Sequence, residues 1–379
     1  MPGGDYGTGV DVDAGAAADG FGLILGSAGP IMVGIGIVGI GFMGMTHFQA
    51  VARLGTARVV ALCSRDPKKR AGDWTSIQGN FGPRGGLVDL SDRATYESLD
   101  QLLADPAVDL VDLCLPNDEH AAAAVRALEA GKHVIVEKPI ALTAADADRM
   151  VAASRAACKL LMVAHVLPFF PEFAFAAEAV RSARYGRLLA AHFTRVIAKP
   201  DWSDGIGDSR RSGGPAVDLH VHDTHFIGLT CGVPRGVHSR GVVESDAVLH
   251  LNTQYLYDDP NLAVSAVSGA LSRAGRPFTH GFEIYLEGAT LSFSFANLAG
   301  TGETSALAVI LPDGTVERPT LGSGDPAEAF AAELGLAVKA VAEGTPAPPM
   351  LSAELARQAL VLCLAEAESV RSGKTVMLD

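Results

Sequence analysis

Paired cysteines are missing from this sequence, although it has five cysteines: Cys63, Cys114, Cys158, Cys231 and Cys363. None has the C-x-x-C spacing of a zinc ribbon or a thioredoxin-like dithiol, so the sequence indicates neither kind of site. An odd, scattered set in apolar surroundings is typical of small buried side chains in a reducing compartment. We therefore expect the cysteines to be structural.

Excess positive charge and long apolar runs are also missing. Lys and Arg total 30 against 43 Asp and Glu, which gives a net charge of -13. A nucleic-acid-binding protein needs a basic surface to neutralise phosphates, so this balance argues against such a partner. No apolar run reaches the ~18–20 residues that a membrane helix requires. We expect a soluble, cytoplasmic protein that binds small molecules.

The N-terminal segment 1–31 lacks basic side chains and the apolar pattern of a core. It has neither the positive start nor the longer apolar stretch of a secretory signal. We interpret it as a disordered tail. Met32 stands directly before the first strong strand, so an over-extended start codon is an equal alternative.

From Met32 onward, short apolar runs alternate with stretches of helical spacing. The expected strands are Val33–Ile40, Arg58–Cys63, Asp109–Leu115, His133–Val136 and Leu160–His165. Repetition of strand and helix predicts a doubly wound parallel sheet with helices on both faces, a Rossmann-type α/β domain over residues 32–167.

Residues 168–379 have longer strands with strict alternation of apolar and polar side chains. This pattern predicts a second domain with a large, mostly antiparallel sheet, one face covered and one open. Gly213 to Cys231 is predicted to be a single helix, with Pro215 in its first turn and Gly232 as its C-terminal cap. The last two helices, near 327–342 and 352–371, are candidates to pack back on the first domain.

The strongest local motif is Gly39-x-Gly41-x-x-Gly44, with Phe42 and Met43 completing the loop. A strand precedes it and a helix follows. The first glycine permits a tight turn, the second lets backbone approach a pyrophosphate, and the third allows close helix packing. The motif predicts a dinucleotide whose diphosphate lies at the start of the helix. An ordinary glycine-rich turn is the alternative.

The end of the second strand indicates which dinucleotide is bound. NAD sites usually have an acidic residue here to hold the ribose hydroxyls, but this chain has Ser64 followed by Arg65. A hydroxyl and a guanidinium suit the 2′-phosphate of NADP. NADP is therefore favoured. NAD stays possible because Asp66 is close enough to supply the acid.

Three further motifs stand at strand ends and in the predicted helix. Leu115-Pro116-Asn117-x-x-His120 ends the third main strand, Glu137-Lys138-Pro139 ends the next, and GGPAVDLHVHD covers Gly213 to Asp223. With the three glycines, these motifs resemble the Gfo/Idh/MocA family of oxidoreductases, named for glucose–fructose oxidoreductase and inositol dehydrogenase. The resemblance extends from Met32 to the C-terminus.

The resemblance implies catalytic roles for Lys138, Asp218 and His222. It also implies further cofactor contacts, in addition to those of the glycine loop and the end of the second strand. These come from Pro116, Asn117, His120, Glu137 and Lys138. The open sheet face implies self-association into a homodimer or homotetramer.

These residue types suit oxidation of a secondary alcohol. Histidine titrates near neutral pH and can take the hydroxyl proton. A lysine ammonium stabilises developing alkoxide charge, and a carboxylate can orient both. Asp218 and His222 are four residues apart, so on a continuous helix they would share a face with Cβ atoms roughly 5–6 Å apart. The alternative is that Asp218 caps or pairs structurally and His222 is a satisfied helix histidine.

The chain departs from the family pattern around the expected substrate pocket. His220 stands where many relatives have glycine, and His225 where many have aspartate. Candidate substrate contacts are His165, Trp202, Arg210 and His225. We expect no metal, because His220 and His222 would point about 200° apart on a helix.

The sequence thus predicts an NAD(P)-dependent oxidoreductase that transfers a hydride between a nicotinamide and a secondary hydroxyl of a sugar, sugar derivative or cyclitol. A redox-neutral enzyme that cleaves glycosides with a transiently reduced cofactor is one alternative. A non-catalytic sensor that binds a dinucleotide is another, although a sensor does not need the set Lys138, Asp218 and His222.

Overall fold

The computed structural model describes residues 32–79, 82–198 and 209–378. The segment 1–31 and Trp202, for which we made predictions above, lie outside the described residues. Among the helices in the described ranges, none is long and apolar enough to cross a membrane.

The first sheet has six parallel strands, which confirms the predicted Rossmann-type arrangement. Its strands are β1 Val33–Val38, β2 Ala57–Cys63, β3 Ala94–Tyr96, β4 Leu110–Leu113, β5 His133–Glu137 and β6 Leu161–Ala164. They lie in the order β3-β2-β1-β4-β5-β6, so the order reverses between β1 and β4. Ligands of such sheets bind in the crevice at the carboxyl ends of the strands beside this reversal.

Five helices connect the strands of the first sheet: α1 Phe42–Val51, α2 Pro67–Arg70, α3 Leu99–Leu103, α4 His120–Glu129 and α5 Ala144–Ala157. The strands are buried because helices cover both faces. Ile35 and Ile37 belong to the core on one face, and Val111 and Leu113 to the core on the other.

The second sheet has nine strands and is antiparallel except for one parallel pair, β7 with β10. Its strands are β7 Leu188–Ala198, β8 Gly236–Glu244, β9 Ala247–Leu256, β10 Ala263–Ser272, β11 Phe278–Leu286, β12 Ala289–Leu298, β13 Thr301–Ile310, β14 Val316–Glu317 and β15 Val376–Met377. This confirms the predicted mostly antiparallel sheet, although the sequence pattern did not predict β13. The first six residues of β13 are exposed, so they carry no apolar alternation.

Five further helices follow in the chain: α6 Pro171–Arg181, α7 Ser209–Ser212, α8 Val221–Cys231, α9 Pro326–Glu343 and α10 Ala353–Ser372. The last two pack against the first sheet. Phe330 and Leu334 of α9 pack in the core that contains Ile35, and Leu360 of α10 packs in the core that contains Val111.

The predicted single helix from Gly213 to Cys231 is wrong. Pro215–Leu219 forms a π-helical turn, and α8 begins only after His220, which is its N-cap. The π turn is closed by a bond from the His220 N–H to the Pro215 carbonyl, five residues back. Because the π turn is wider than an α turn, Asp218 and His222 do not share one continuous α-helical face.

Candidate functional site

The three glycines of the β1–α1 loop have different geometric roles. Gly39 has φ +97°, and a Cβ there would lie 2.3 Å from the Cys114 carbonyl oxygen. A Cβ on Gly44 would lie 2.0 Å from the Gly39 carbonyl oxygen. A Cβ on Gly41, in contrast, would meet no atom of the described residues within 4 Å. The loop therefore needs glycine at its two ends for packing and leaves open space at its centre.

The open space lies at the N-terminus of α1. Gly41 is the N-cap, and within the described chain no side chain caps this helix. Phe42 and Met43 are its first two residues, and the first intrahelical bond is from the Met45 N–H to the Gly41 carbonyl. The N–H groups of a first helical turn have no partner within the helix, and the helix dipole adds partial positive charge at this end. A dinucleotide diphosphate fits this arrangement.

The end of β2 is organised around Ser64. The Ser64 hydroxyl accepts the Asp66 N–H at 3.2 Å, and the Asp66 carboxylate accepts the Lys68 N–H at 2.9 Å as the N-cap of α2. Arg65 is exposed, with its Nη2 3.2 Å from Glu119 Oε1. The Asp66 carboxylate therefore already has a backbone partner, and the exposed Arg65 guanidinium is paired with Glu119.

Two predicted cofactor residues after β4 bind protein groups. The Asn117 amide donates to the Ser212 carbonyl and to Asp218 Oδ1, both at 3.1 Å. His120 is buried, with its ring nitrogens 2.8 Å from the Pro139 carbonyl oxygen and 3.0 Å from that of Leu115. His120 thus connects the loops that follow β4 and β5. Pro116, which directly precedes Asn117, is exposed.

Glu137, also predicted at the cofactor, belongs to a buried cluster beneath the glycine loop. Its Oε1 lies 3.1 Å from Nε2 of His47, a residue of α1. His47 Nδ1 lies 2.9 Å from Asp112 Oδ2, and Cys114 Sγ is 3.5 Å from the same nitrogen. Burial alone would lower the pKa of His47, but the Asp112 carboxylate raises it well above its ordinary value. His47 is thus an imidazolium between two carboxylates.

The sequence motifs did not identify His47, Asp112 or their buried neighbour Glu333 of α9. Burial raises the pKa of Glu333 well above its ordinary value. The only signal was polar side chains inside apolar runs. Ligand atoms of His47, Asp112 and Cys114 are close enough together to hold an ion, but both oxygens of Asp112 already lie within hydrogen-bond distance of His47 Nδ1.

Lys138 and Asp218, two of the predicted catalytic residues, are in direct contact. Lys138 Nζ donates to the Asp218 carbonyl oxygen at 2.8 Å and to its Oδ1 at 3.0 Å. Their side chains keep 18% and 23% of their surface exposed, so the pair can be reached from solvent. Since Lys138 follows β5 and Asp218 lies in the π turn, this contact joins the first-sheet crevice to the chain of the second sheet.

His222 lies one residue into α8 and is partly exposed. Burial lowers the pKa of His222 well below its ordinary value, and the positive charges of Lys138 and Arg195 lower it further. Its imidazole is therefore neutral at pH 7 and able to accept a proton. The structure thus places all three predicted catalytic residues in one neighbourhood.

The candidate substrate residues His165 and His225 are wholly buried. Their rings stack with centroids 3.9 Å apart and planes 4° apart. Burial lowers the pKa of both, that of His225 to about 3, so the stack is uncharged. In this conformation neither ring is available to a substrate. The stacked rings form a packing contact between the end of β6 and α8. Arg210, also proposed as a contact, is exposed in α7.

Behind α8 lies a second buried ionic network that the motifs did not reveal in full. Arg195 Nε lies 3.0 Å from Asp223 Oδ2, and His220 Nε2 lies 3.0 Å from Glu366 Oε2. Arg195 comes from β7 and Glu366 from α10. Arg195 and Glu366 are far from Asp223 and His220 in the chain, so local spacing could not predict these two contacts.

The chain is similar to known proteins in sequence and in fold. Residues 33–165 match the family model described as an oxidoreductase family with an NAD-binding Rossmann fold. The chain is 30% identical over 256 residues to dTDP-3,4-didehydro-2,6-dideoxy-alpha-D-glucose 3-reductase from Streptomyces violaceoruber, covering 66% of this chain and 73% of that one.

Some other matches found by sequence cover less of the chain. The chain is 33% identical over 198 residues to a 1-carboxy-3-chloro-3,4-dihydroxycyclohexa-1,5-diene dehydrogenase from Comamonas testosteroni, covering 52% of this chain and 46% of that one. It spans about half the length of several curated relatives that it matches. A levoglucosan dehydrogenase solved with NADH and levoglucosan is similar in fold, with a TM-score of 0.75 at 21% identity, over 91% of this chain and 99% of that one.

Proposed function

Because this chain belongs to the Gfo/Idh/MocA family of oxidoreductases, we propose that it transfers a hydride between a nicotinamide cofactor and a secondary hydroxyl of a sugar, sugar derivative or cyclitol. The observation that carries this proposal is the contact of Lys138 with Asp218 beside a neutral His222. These three groups lie at the carboxyl end of the first sheet, on the side where the glycine loop leaves room for a diphosphate.

The proposed chemistry divides between these side chains. A bound nicotinamide supplies the hydride acceptor for oxidation and the donor for reduction. In oxidation the neutral His222 takes the hydroxyl proton, so its pKa must lie below the working pH, as the structure indicates. The Lys138 ammonium stabilises negative charge on the same oxygen, and Asp218 holds that ammonium in place. In reduction His222 returns the proton.

For the cofactor, we propose the NADP form as the preferred ligand. Asp66 is engaged as a helix cap, so it is less suited to hold ribose hydroxyls, and Arg65 offers a guanidinium to a 2′-phosphate. The NAD form remains the alternative.

For the substrate, the names of the similar proteins favour cyclic alcohols and sugars: a dTDP-sugar reductase, a dihydroxycyclohexadiene dehydrogenase and a levoglucosan dehydrogenase. Those activities are properties of the relatives. They guide which compounds to test on this chain.

The decisive experiment is a screen of sugars and cyclitols with NAD and with NADP. Both the absorbance of the reduced nicotinamide and the mass of the product are followed. A substrate-dependent absorbance change supports the proposal. A new product without net absorbance change indicates the redox-neutral alternative instead, and dinucleotide binding without any product indicates a sensor.

We also propose that the open face of the second sheet mediates a homodimer or homotetramer. Apolar side chains on its strands remain exposed, among them Leu256, Leu271, Tyr285 and Ile310. Light scattering after size exclusion measures the assembly. A monomer at micromolar concentration would contradict this proposal.

A further inference from the structure

Between Asp218 and His222 the backbone changes from π-helical to α-helical, and the change occurs at a single residue, His220. The His220 N–H donates to the Pro215 carbonyl at 3.2 Å and closes the π turn that contains Asp218. The His220 carbonyl accepts the N–H of Asp223 at 2.9 Å and that of Thr224 at 3.1 Å, which starts α8. The two proposed catalytic residues therefore lie two positions before and two positions after this junction.

The His220 side chain is anchored away from the crevice. The ring is wholly buried, with Nε2 3.0 Å from Glu366 Oε2 of α10 and 3.2 Å from the Tyr255 hydroxyl of β9. Its Nδ1 lies 3.7 Å from Asp223 Oδ2. Burial alone would lower the pKa of His220, but the Glu366 and Asp223 carboxylates raise it to about 9. The His220 imidazolium thus connects the junction to β9 of the second sheet and to helix α10.

The ionic network continues from His220 toward His222. Asp223 carries its negative charge between His220 and Arg195, whose Nε is 3.0 and 3.1 Å from the two Asp223 oxygens. Charges therefore alternate along Glu366, His220, Asp223 and Arg195, and each of these residues is at least 95% buried. Removing one member alone leaves a buried charge unpaired, which is strongly destabilising. Arg195, at the far end, is close enough to His222 to influence its protonation.

We propose that His220 is a positioning residue, whose buried contact with Glu366 fixes the junction between the π turn and α8 and so sets where Asp218 and His222 lie relative to Lys138. The role of His222 in this statement rests on the proposed function. Catalysis is sensitive to such placement, since a displacement of about 1 Å can cost on the order of a hundredfold in rate. A purely structural network would affect stability and leave catalysis in the folded protein unchanged.

The test uses the double variant H220A/E366Q in the full chain. It removes both charges together, so neither partner stays buried and unpaired, and Asp223 keeps Arg195. We expect the variant to fold with a lower melting temperature, because the lost ring leaves a cavity, and to show unchanged affinity for reduced cofactor and a kcat lower by roughly 10- to 100-fold. The matched control is Glu354→Gln on the same helix, whose partner Arg155 is exposed, and it should behave as wild type.

A second measurement does not depend on turnover. Diethyl pyrocarbonate modifies accessible neutral imidazoles, and peptide mass spectrometry resolves His222 from its buried neighbours. We expect His222 to be modified several-fold faster in the double variant than in the wild type or in Glu354→Gln. A folded double variant with wild-type kcat and a wild-type modification rate would overturn the inference.

The two measurements also separate this inference from the proposed function. If the wild type transfers no hydride to any sugar or cyclitol while His222 modification still depends on His220 and Glu366, the proposed function fails and the positioning role stands. If the wild type turns over but the double variant has the same kcat and the same rate of His222 modification, the proposed function stands and His220 is structural only.

Discussion

At the scale of single residues, the chemistry depends on how protein contacts assign charge to the side chains. Lys138 and His222 lie in the same neighbourhood: the Lys138 ammonium donates a hydrogen bond to Asp218, and the pKa of His222 is lowered by burial and by that positive charge. One group is therefore ready to stabilise negative charge and the other to accept a proton. Environments that drive neighbouring groups into opposite protonation states are typical of acid–base sites.

Replacing His222 by alanine tests its role as the proton acceptor. We expect kcat to fall by roughly 10²–10⁴-fold, the range for loss of a general base, while the affinity for cofactor changes little. His238→Ala, on β8, is the control. Because the pKa of His222 lies well below 6.5, the wild-type oxidation rate should rise with pH only in the acid range and then level off. Persistence of that acid limb in His222→Ala would remove the histidine from the mechanism.

Lys138 and Asp218 should differ in the size of their effects. Lys138→Ala removes the charge next to the reacting oxygen and should reduce kcat at least as much as His222→Ala. Asp218→Asn keeps an oxygen that can accept a hydrogen bond from Lys138, so its effect on kcat should be milder.

The double change of Lys138 and His222 should lower kcat by less than the product of the two single effects, because both groups act on one oxygen. Steady-state kinetics with Lys339→Ala as an exposed control decides between these outcomes.

The cofactor preference can be tested at Ser64. Ser64→Asp adds a carboxylate at the end of β2, which should repel a 2′-phosphate and shift preference from NADPH toward NADH. Fluorescence titration with both reduced cofactors measures the ratio of the two affinities, and Ser91→Asp, at an exposed position, is the control. A wild type that already prefers NADH would show that Asp66 or another group determines the choice.

At the scale of elements, His47 connects α1, β4 and β5 through two carboxylates, Asp112 and Glu137. His47→Ala would leave both carboxylates in a buried site without their cation, so we expect a loss of about 3–5 kcal/mol in the free energy of unfolding. Urea denaturation measures this loss, and Arg126→Ala, in an exposed pair with Asp100, should change little.

The His47 contribution also has a defined pH dependence. The pKa of His47 is raised in the folded protein, so its stabilisation is fully present below the ordinary value of about 6.5 and is lost as pH rises through the folded value. His47→Ala should lack this decline. Equal pH dependence of wild type and variant would show that another group causes it.

The elements also show what the sequence could and could not predict. Strands β1, β2, β4, β5 and β6 were predictable because buried parallel strands are continuous apolar runs with turn residues between them. The glycine loop was predictable because Gly39 and Gly44 meet steric limits in the fold, whereas Gly41 leaves open space. The π turn at Pro215–Leu219 was not, since its sequence satisfies the same start and stop signals as an ordinary helix.

The contacts of the candidate site also divide into those that the sequence could predict and those that it could not. The motif that ends β5 identified Lys138, and its partner Asp218 was found in a separate motif. The contact of His220 with Glu366 and the nearness of Glu333 to His47 were missed, because α9 and α10 contribute these glutamates from distant parts of the chain. Distances across the fold, which no local spacing encodes, determine these pairs.

At the scale of the whole molecule, the two sheets share the covering helix α10. Leu360 of α10 packs in the core of the first sheet, while Leu362, two residues later, packs in the core of the second. Lys138 and Asp218 therefore meet across a boundary that is held by packed helices as well as by their own contact. The proposed active site depends on the complete described body, residues 32–378.

The late position of α9 and α10 in the chain has a consequence for synthesis on the ribosome. The six strands of the first sheet emerge early, but α9 and α10, which complete its two cores, are translated only after β7 to β14. At about 5–20 residues per second, making those strands takes on the order of ten seconds or more. During that interval apolar strand faces stay uncovered, so nascent chains stalled before Pro326 should bind chaperones that full-length chains do not need.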